Sequence, residues 1–117
     1  DNIHYINGDS ILLYWSFENL IKNSIESIKG NKGLINIGVN DIDNKIHIII
    51  NDDGIGITTK NKNKIFKPGY STKSRGWGLG LSLSKRIIND IHQGSIKLLK
   101  SNKDETSFLI ILKSFYS

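Results

Sequence analysis

Residues 45–56 read Lys-Ile-His-Ile-Ile-Ile-Asn-Asp-Asp-Gly-Ile-Gly, and this stretch decides the fold. Ile46, Ile48 and Ile50 alternate onto one face of an extended segment, and Asp52 continues that face by period two. The strand therefore ends with a carboxylate on its buried side, followed at once by Gly54 and Gly56. An Asp-Gly pair also closes ordinary hairpins, so the flanking sequence has to separate the two readings.

Working outward, Leu34 to Val39 predicts a second strand, paired with Lys45 to Asn51 around the turn 40–44. Upstream, Ile3 to Ile6 reads as a short strand ending at Asn7-Gly8. Asp9 or Ser10 then caps a helix running to about Ile28, with Phe17, Leu20, Ile21, Ser24 and Ile28 on one face. Downstream, Thr58 to Lys67 reads as a short lysine-rich helix and Pro68 to Gly78 as a loop. A second long helix opens near Gly78 or Leu79, carries Leu83, Ile87 and Ile91 inward, and ends at Gly94. Ser95 to Leu99 and Thr106 to Leu112 are the last strands, joined by the polar turn 100–105. The order β-α-β-β-α-α-β-β predicts an α+β fold, a two-layer sandwich whose mixed sheet is covered on one face by about three helices.

The chain has 117 residues, enough for one domain over 1–117 with a single two-layer core. Hydrophobic residues make up 38% and charged residues 23%, an ordinary globular balance that excludes a disordered chain. No apolar run approaches the ~20 residues needed to cross a bilayer, and no signal-peptide pattern opens the sequence. The net charge of +5 reflects lysines scattered over the surface more than a nucleic-acid footprint. Lys60, Lys62, Lys64, Lys67, Lys73 and Arg75 do cluster, beside a second glycine-rich stretch, where a positive field suits a polyphosphate. With no cysteine, disulfides and thiolate metal sites are excluded, which fits a reducing compartment.

Three groups of residues point to nucleotide chemistry. Asp52 offers only acceptors, which suits the exocyclic amine of adenine and opposes the carbonyl of guanine. Gly54 and Gly56, and again Gly76, Gly78 and Gly80, let backbone approach a flat or charged ligand closely. Unpaired N–H groups at the start of the helix after Gly78 favour phosphate. A dinucleotide GxGxxG starting at Gly76 fails at Leu81, and no GxxxxGK[ST] string exists. Asn19 and Asn23, four apart on a helix, place two amides on one face, away from the apolar stripe. Such amides can position a hydrated Mg²⁺, which keeps several waters and borrows ligands from the nucleotide. His4, His47 and His92 show no metal spacing and no phosphoacceptor setting, and read as surface or strand residues.

With these motifs in order, the chain resembles the ATP-binding catalytic domain of bacterial sensor histidine kinases. That superfamily also holds type II topoisomerase, mismatch-repair and heat-shock chaperone ATPases. Asn19-Leu20-Ile21-Lys22-Asn23 resembles the N box, and Asp52-x-Gly54-x-Gly56 the first glycine box. Ile65 to Lys73 is similar to the F box and the start of the ATP lid. Gly76-Trp77-Gly78-Leu79-Gly80-Leu81 resembles the second glycine box.

The resemblance implies the Bergerat ATP-binding fold, with ATP as nucleotide, adenine on Asp52 and Mg²⁺ on Asn23. It implies further nucleotide contacts from Asn19, Gly54, Gly56, Ile57, Phe66, Tyr70, Ser71, Thr72, Lys73, Gly76, Gly78, Leu79, Gly80, Leu81 and Thr106. A lid from about Pro68 to Arg75 would close over the phosphates; its shortness resembles the nitrogen-regulation type. Asn19 stands where hydrolysing relatives carry a general-base glutamate, and Asn19 and Lys73 are the candidate catalytic residues. Glu26 replaces a common basic residue, and Glu105 replaces the glycine of a Gly-Thr pair.

The implied partners are ATP or ADP, a dimerisation and histidine-phosphotransfer domain of the same protein, and a response regulator. Neither nucleic acid nor direct membrane contact is implied, and the implied location is cytoplasmic. The alternatives are an anti-sigma-factor-type serine kinase or a degenerate ATP-binding module.

Overall fold

The computed structural model describes residues 6, 8–28, 33–57, 62, 64–67, 80–102 and 105–113. Helix α1 spans Ser10–Ser27, and Asp9 caps it by accepting the N–H groups of Ile11 and Leu12 at 3.0 Å each. Four strands follow the expected order: β1 (Ile35–Ile42), β2 (Lys45–Asp52), β3 (Ser95–Asn102) and β4 (Glu105–Lys113). They form one sheet in the order β1-β2-β4-β3, and all three neighbouring pairs are antiparallel. The segment expected to add a first strand, 3–6, lies outside the described residues except for Ile6, which packs against the core. No described helix is long and apolar enough to cross a membrane.

The β1–β2 hairpin is tighter than its sequence implies. Ile42 pairs with Lys45, so the loop is Asp43-Asn44 alone, both with positive φ (53° and 63°). Two left-handed residues match the right-handed strand twist, and Asp and Asn tolerate that region best after glycine.

The core lies between the helices and one face of the sheet, built on Leu13, Leu20, Ile50, Ile65, Ile88, Ile96, Phe108, Ile110 and Leu112. The buried face of α1 is rotated from the expected stripe: Leu13, Ser16, Leu20 and Ser24 are buried, while Phe17 is only partly so. Small residues there admit the second helix, α2 (Gly80–Arg86). Ser84 and Ser16 are both fully buried, and the Ser84 hydroxyl donates to the Ser16 carbonyl at 3.4 Å.

After α2 the chain widens into a π-helical stretch, Ile87–Ile91. The wider turn shifts the helical phase by about a residue. Ile87 and Ile88 are buried and Ile91 is 55% exposed, so the expected inward row of Leu83, Ile87 and Ile91 breaks at its end. The left-handed residue after it is Gln93 (φ 56°), not Gly94. Gly94 is needed for closeness, since a Cβ there would stand 2.2 Å from the Ile111 carbonyl oxygen. Residues 64–66 form a turn rather than a short helix, closed by the Lys67 N–H on the Lys64 carbonyl at 2.9 Å. Pro68 disfavours helical backbone at the residue before it.

His92, which reads from sequence as a surface residue, joins the two helices. Its Nε2 accepts the Asp9 N–H at 2.9 Å, and its Nδ1 lies 2.8 Å from the Ile87 carbonyl oxygen. Both bonds hold together only in the neutral ring with the proton on Nδ1. Replacing His92 with Ala should take the side-chain partner from the exposed Asp9 N–H, while the Ile87 carbonyl keeps the residue-92 N–H at 3.1 Å, and should cost about 0.5–1.5 kcal/mol. Urea unfolding followed by circular dichroism would read this as a lower midpoint with an unchanged slope.

Candidate functional site

Asp52 ends β2 on the core face and is 2% exposed. The register places it in one cross-strand row with Ile35 on β1, Thr106 on β4 and Ser101 on β3. By strict alternation along β3, Ser101 would face away from the helices. A bulge between Leu98 and Lys100 resets the alternation, because one extra residue moves every following side chain to the other face. That places Ser101 beside the loop that leaves β2. Its hydroxyl accepts the Ile57 N–H at 2.6 Å and donates to the Ile57 carbonyl at 3.0 Å.

Asp52 Oδ1 accepts two hydrogen bonds, from the Ser27 hydroxyl at 3.0 Å and the Gly54 N–H at 2.9 Å. The adjoining backbone is tied down as well. The Ile55 N–H donates to the Ser27 carbonyl at 3.1 Å, and Asp53 exchanges bonds with Leu34 through its N–H (3.2 Å) and carboxylate (2.9 Å). The loop 53–57 is thus fastened to α1, β1 and β3. Opposite Asp52, Thr106 is 4% exposed, and its hydroxyl oxygen is buried without a hydrogen-bond partner. Buried polar atoms are rarely left so. An orphaned hydroxyl beside a buried carboxylate fits a site that takes a polar ligand or water, the carboxylate accepting and the hydroxyl able to donate or accept.

The two glycines of the first box serve the protein's own packing. A Cβ at Gly54 would stand 2.1 Å from the Ser27 hydroxyl oxygen, and one at Gly56 (φ +78°) 1.8 Å from the Asn102 carbonyl oxygen. From sequence they read as backbone free to take positive φ and to approach a ligand closely; Gly56 does take positive φ, and the Cβ positions of both are occupied by α1 and β3.

Asn19 and Asn23 are both half-buried on α1. Asn19 faces the start of α2, where a Cβ on Gly80 would be 3.6 Å from its amide oxygen and carbon. The N box and the end of the second glycine box therefore meet. Phe66 packs edge-on against Phe108, centroids 6.1 Å apart, and Lys85 lies 5.2 Å from the Phe66 ring centre. Leu81 and Ile57 are partly buried against the core. Tyr70, Ser71, Thr72, Lys73, Gly76, Gly78 and Leu79, and with them the expected lid, lie outside the described residues. Among the described residues no group of three or more His, Cys, Asp or Glu side chains could hold a metal ion. A cation here would rest on an amide oxygen such as that of Asn23 and on the nucleotide itself.

Sequence reasoning missed Ser27 and Ser101. Their spacing carried no signal, because one depends on a bulge and the other on where α1 ends over the sheet. Glu105, which stands in place of a glycine, lies at the surface of the same sheet end. The Asn51 amide donates to it at 2.9 Å and Lys100 pairs with it at 3.0 Å. These contacts, the Asn51 bond foremost, hold its carboxyl below the usual carboxylate range.

Residues 8–114 match the family described as histidine kinase-, DNA gyrase B- and HSP90-like ATPases, and the chain belongs to it. Sporulation kinase A of Bacillus subtilis is 39% identical over 106 residues, covering 91% of this chain and 17% of that kinase. AtoS, a signal transduction histidine-protein kinase of Escherichia coli, is 39% identical over 108 residues, covering 92% and 17%. Among solved structures, the catalytic domain of histidine kinase ThkA superposes with a TM-score of 0.82 at 30% identity, covering 92% of this chain and 71% of that one. Sequence and fold thus group the chain with histidine kinase catalytic domains, as the motifs imply, and do not favour the serine-kinase alternative. The chain spans a quarter or less of the length of Sporulation kinases A and B and of AtoS.

Two outcomes follow from the packing. Gly56→Ala should destabilise by more than about 1 kcal/mol, since both φ and the Asn102 contact oppose a side chain. Gly38→Ala in β1, with nothing within 4 Å of an added Cβ, should be neutral or slightly stabilising, and thermal melts of the two variants followed by circular dichroism check both. The depressed Glu105 carboxyl adds stability that is present above the ordinary glutamate value and fades as pH falls through the lowered one. Glu105→Gln should accordingly flatten the acid limb of a stability–pH curve.

Proposed function

We propose that this domain binds Mg-ATP and supplies the γ-phosphoryl group to a histidine on a separate dimerisation domain of the same protein. The observation that carries the reading is the buried Asp52 carboxylate, fixed through Oδ1 and facing the orphaned Thr106 hydroxyl at the sheet end. In this reading Asp52 accepts the amine of adenine, and Thr106 completes the polar edge. Asn23 holds the metal, and Asn19 lines the phosphate side against Gly80. Mg²⁺ would screen charge on the phosphates and orient them. Tyr70, Ser71, Thr72, Lys73, Gly76, Gly78 and Leu79 would complete the phosphate end, under a short lid of the nitrogen-regulation type.

The acceptor imidazole nitrogen would form a P–N bond as the bond from phosphorus to the bridging oxygen of ADP breaks. That chemistry asks for positioning more than for a base at the phosphates. Asn19 suits it: an amide cannot take a proton from water at neutral pH, and such abstraction is worth roughly 10²–10⁴-fold in rate. Water would therefore be a poor competitor for the phosphoryl group. A response regulator downstream and a cytoplasmic setting belong to the same reading. Neither nucleic acid nor direct membrane contact has a part in it.

Calorimetry with ADP and GDP tests the base assignment. ADP should bind more tightly, and Asp52→Ala should cost it about 1–3 kcal/mol, as for one hydrogen bond to a charged group; equal affinities would refute the adenine contact. Asn23→Ala should abolish the strengthening of ATP-analogue binding by magnesium. The lone domain should release phosphate very slowly, yet label a dimerisation segment from its parent protein added in trans.

A further inference from the structure

We infer that Ser27, which lies outside every motif that marks the nucleotide site, is a positioning residue that sets which oxygen of Asp52 meets the base. The inference rests on the proposed adenine contact and gives it a source of selectivity.

Asp52 Oδ1 already accepts the Ser27 hydroxyl and the Gly54 N–H, at 3.0 and 2.9 Å. A carboxylate oxygen offers about two lone-pair sites, so Oδ1 is filled by the protein. Oδ2 is left as the acceptor for the amine of the base. The Ser27 hydroxyl has a choice, because its one proton can go to the Ser24 carbonyl at 2.9 Å or to Asp52 at 3.0 Å. A hydrogen bond to an ionised carboxylate is roughly twice as strong as one to a neutral carbonyl, so the proton goes to Asp52.

Ser27 is itself immobilised from the other side. Its carbonyl accepts the Ile55 N–H, and its hydroxyl sits so close to Gly54 that no Cβ fits between them. Helix end, loop and carboxylate form one clasp. Without the hydroxyl, only the Gly54 N–H would orient Oδ1. The carboxylate could then turn about its last torsion, and the Oδ2 lone pair would no longer be held on the amine. Selectivity for an amino-purine thus depends on a residue that does not touch the nucleotide.

The test compares two ligands on the 117-residue chain: ADP, and purine riboside 5′-diphosphate, which lacks the exocyclic amine. Ser27→Ala should weaken ADP roughly tenfold, the effect of one charge-assisted hydrogen bond, and leave the amine-free ligand within about twofold. Ser27→Cys, similar in size but a weak donor, should lose most of the same affinity and carries the test if the Ala variant does not fold.

Equal weakening of both ligands would mean that Ser27 only shapes the loop, and would overturn the inference, as would no change in either. In an Asp52→Ala background, Ser27→Ala should have no further effect on ADP; a full additional loss would also overturn it. If Asp52→Ala itself binds ADP as tightly as the parent, the adenine assignment fails. That result differs from a normal Asp52 effect with an inert Ser27.

Discussion

The burial of the Asp52 carboxylate is the constraint around which the rest of the site is arranged. An ionisable group at 2% exposure is tolerated only when hydrogen bonds replace the water it has lost. Two donors do so on one oxygen, and each constrains a different element. The Ser27 hydroxyl fixes where α1 ends over the sheet. The Gly54 N–H fixes the first step of the loop after β2. Close contact of that loop with α1 then follows, and glycine at 54 is the consequence. The motif read as a nucleotide signature is thus equally the signature of a tightly folded support.

The sheet supplies what the carboxylate alone cannot. Its register aligns Ile35, Asp52, Thr106 and Ser101 in one row, so that four strands contribute to one end of the molecule. Below that row, Ile50, Phe108 and Ile110 form a packed floor. A functional side chain at the end of a central strand, backed by such a floor, has little freedom. The bulge near Leu99 belongs to this logic, since without it Ser101 would point away and Ile57 would lose both of its bonds to β3.

Period two in residues 46–52 placed the central strand and its carboxylate face, and the choice of Asp9 or Ser10 as cap marked the start of α1 to within a residue, the cap being Asp9. These features are local, so a linear pattern can hold them. The π-helical stretch, the hydrogen bonds of His92 and the bulge in β3 are not local. Each arises where two elements meet and one must give way by a residue. Gly94 shows the limit of pattern reading: its place after a helix was legible, but its reason was not. The left-handed residue there is Gln93, and Gly94 is glycine because β4 passes so near. Ser27 was invisible for a related reason, since its meaning depends on an aspartate 25 residues later in the chain.

The separation of the motifs along the chain also has a physical origin. Asn19 and Gly80 are far apart in sequence yet in contact range, because α1 and α2 approach through small residues. Ser16 and Ser84 are buried against each other one turn away from that contact. Where two helices come this close, the interface cannot accept bulk. A Cβ at position 80 would stand 3.6 Å from the Asn19 amide, in ordinary van der Waals contact, so residues 19 and 80 share one small space between the helices. The identity of residue 19, on which the choice between transfer and hydrolysis turns in the proposed reading, is therefore coupled to residue 80. A glutamate at 19 needs more than the correct charge. It needs the opening of α2 to leave space for one more methylene, and glycine at position 80 is what leaves that space beside residue 19.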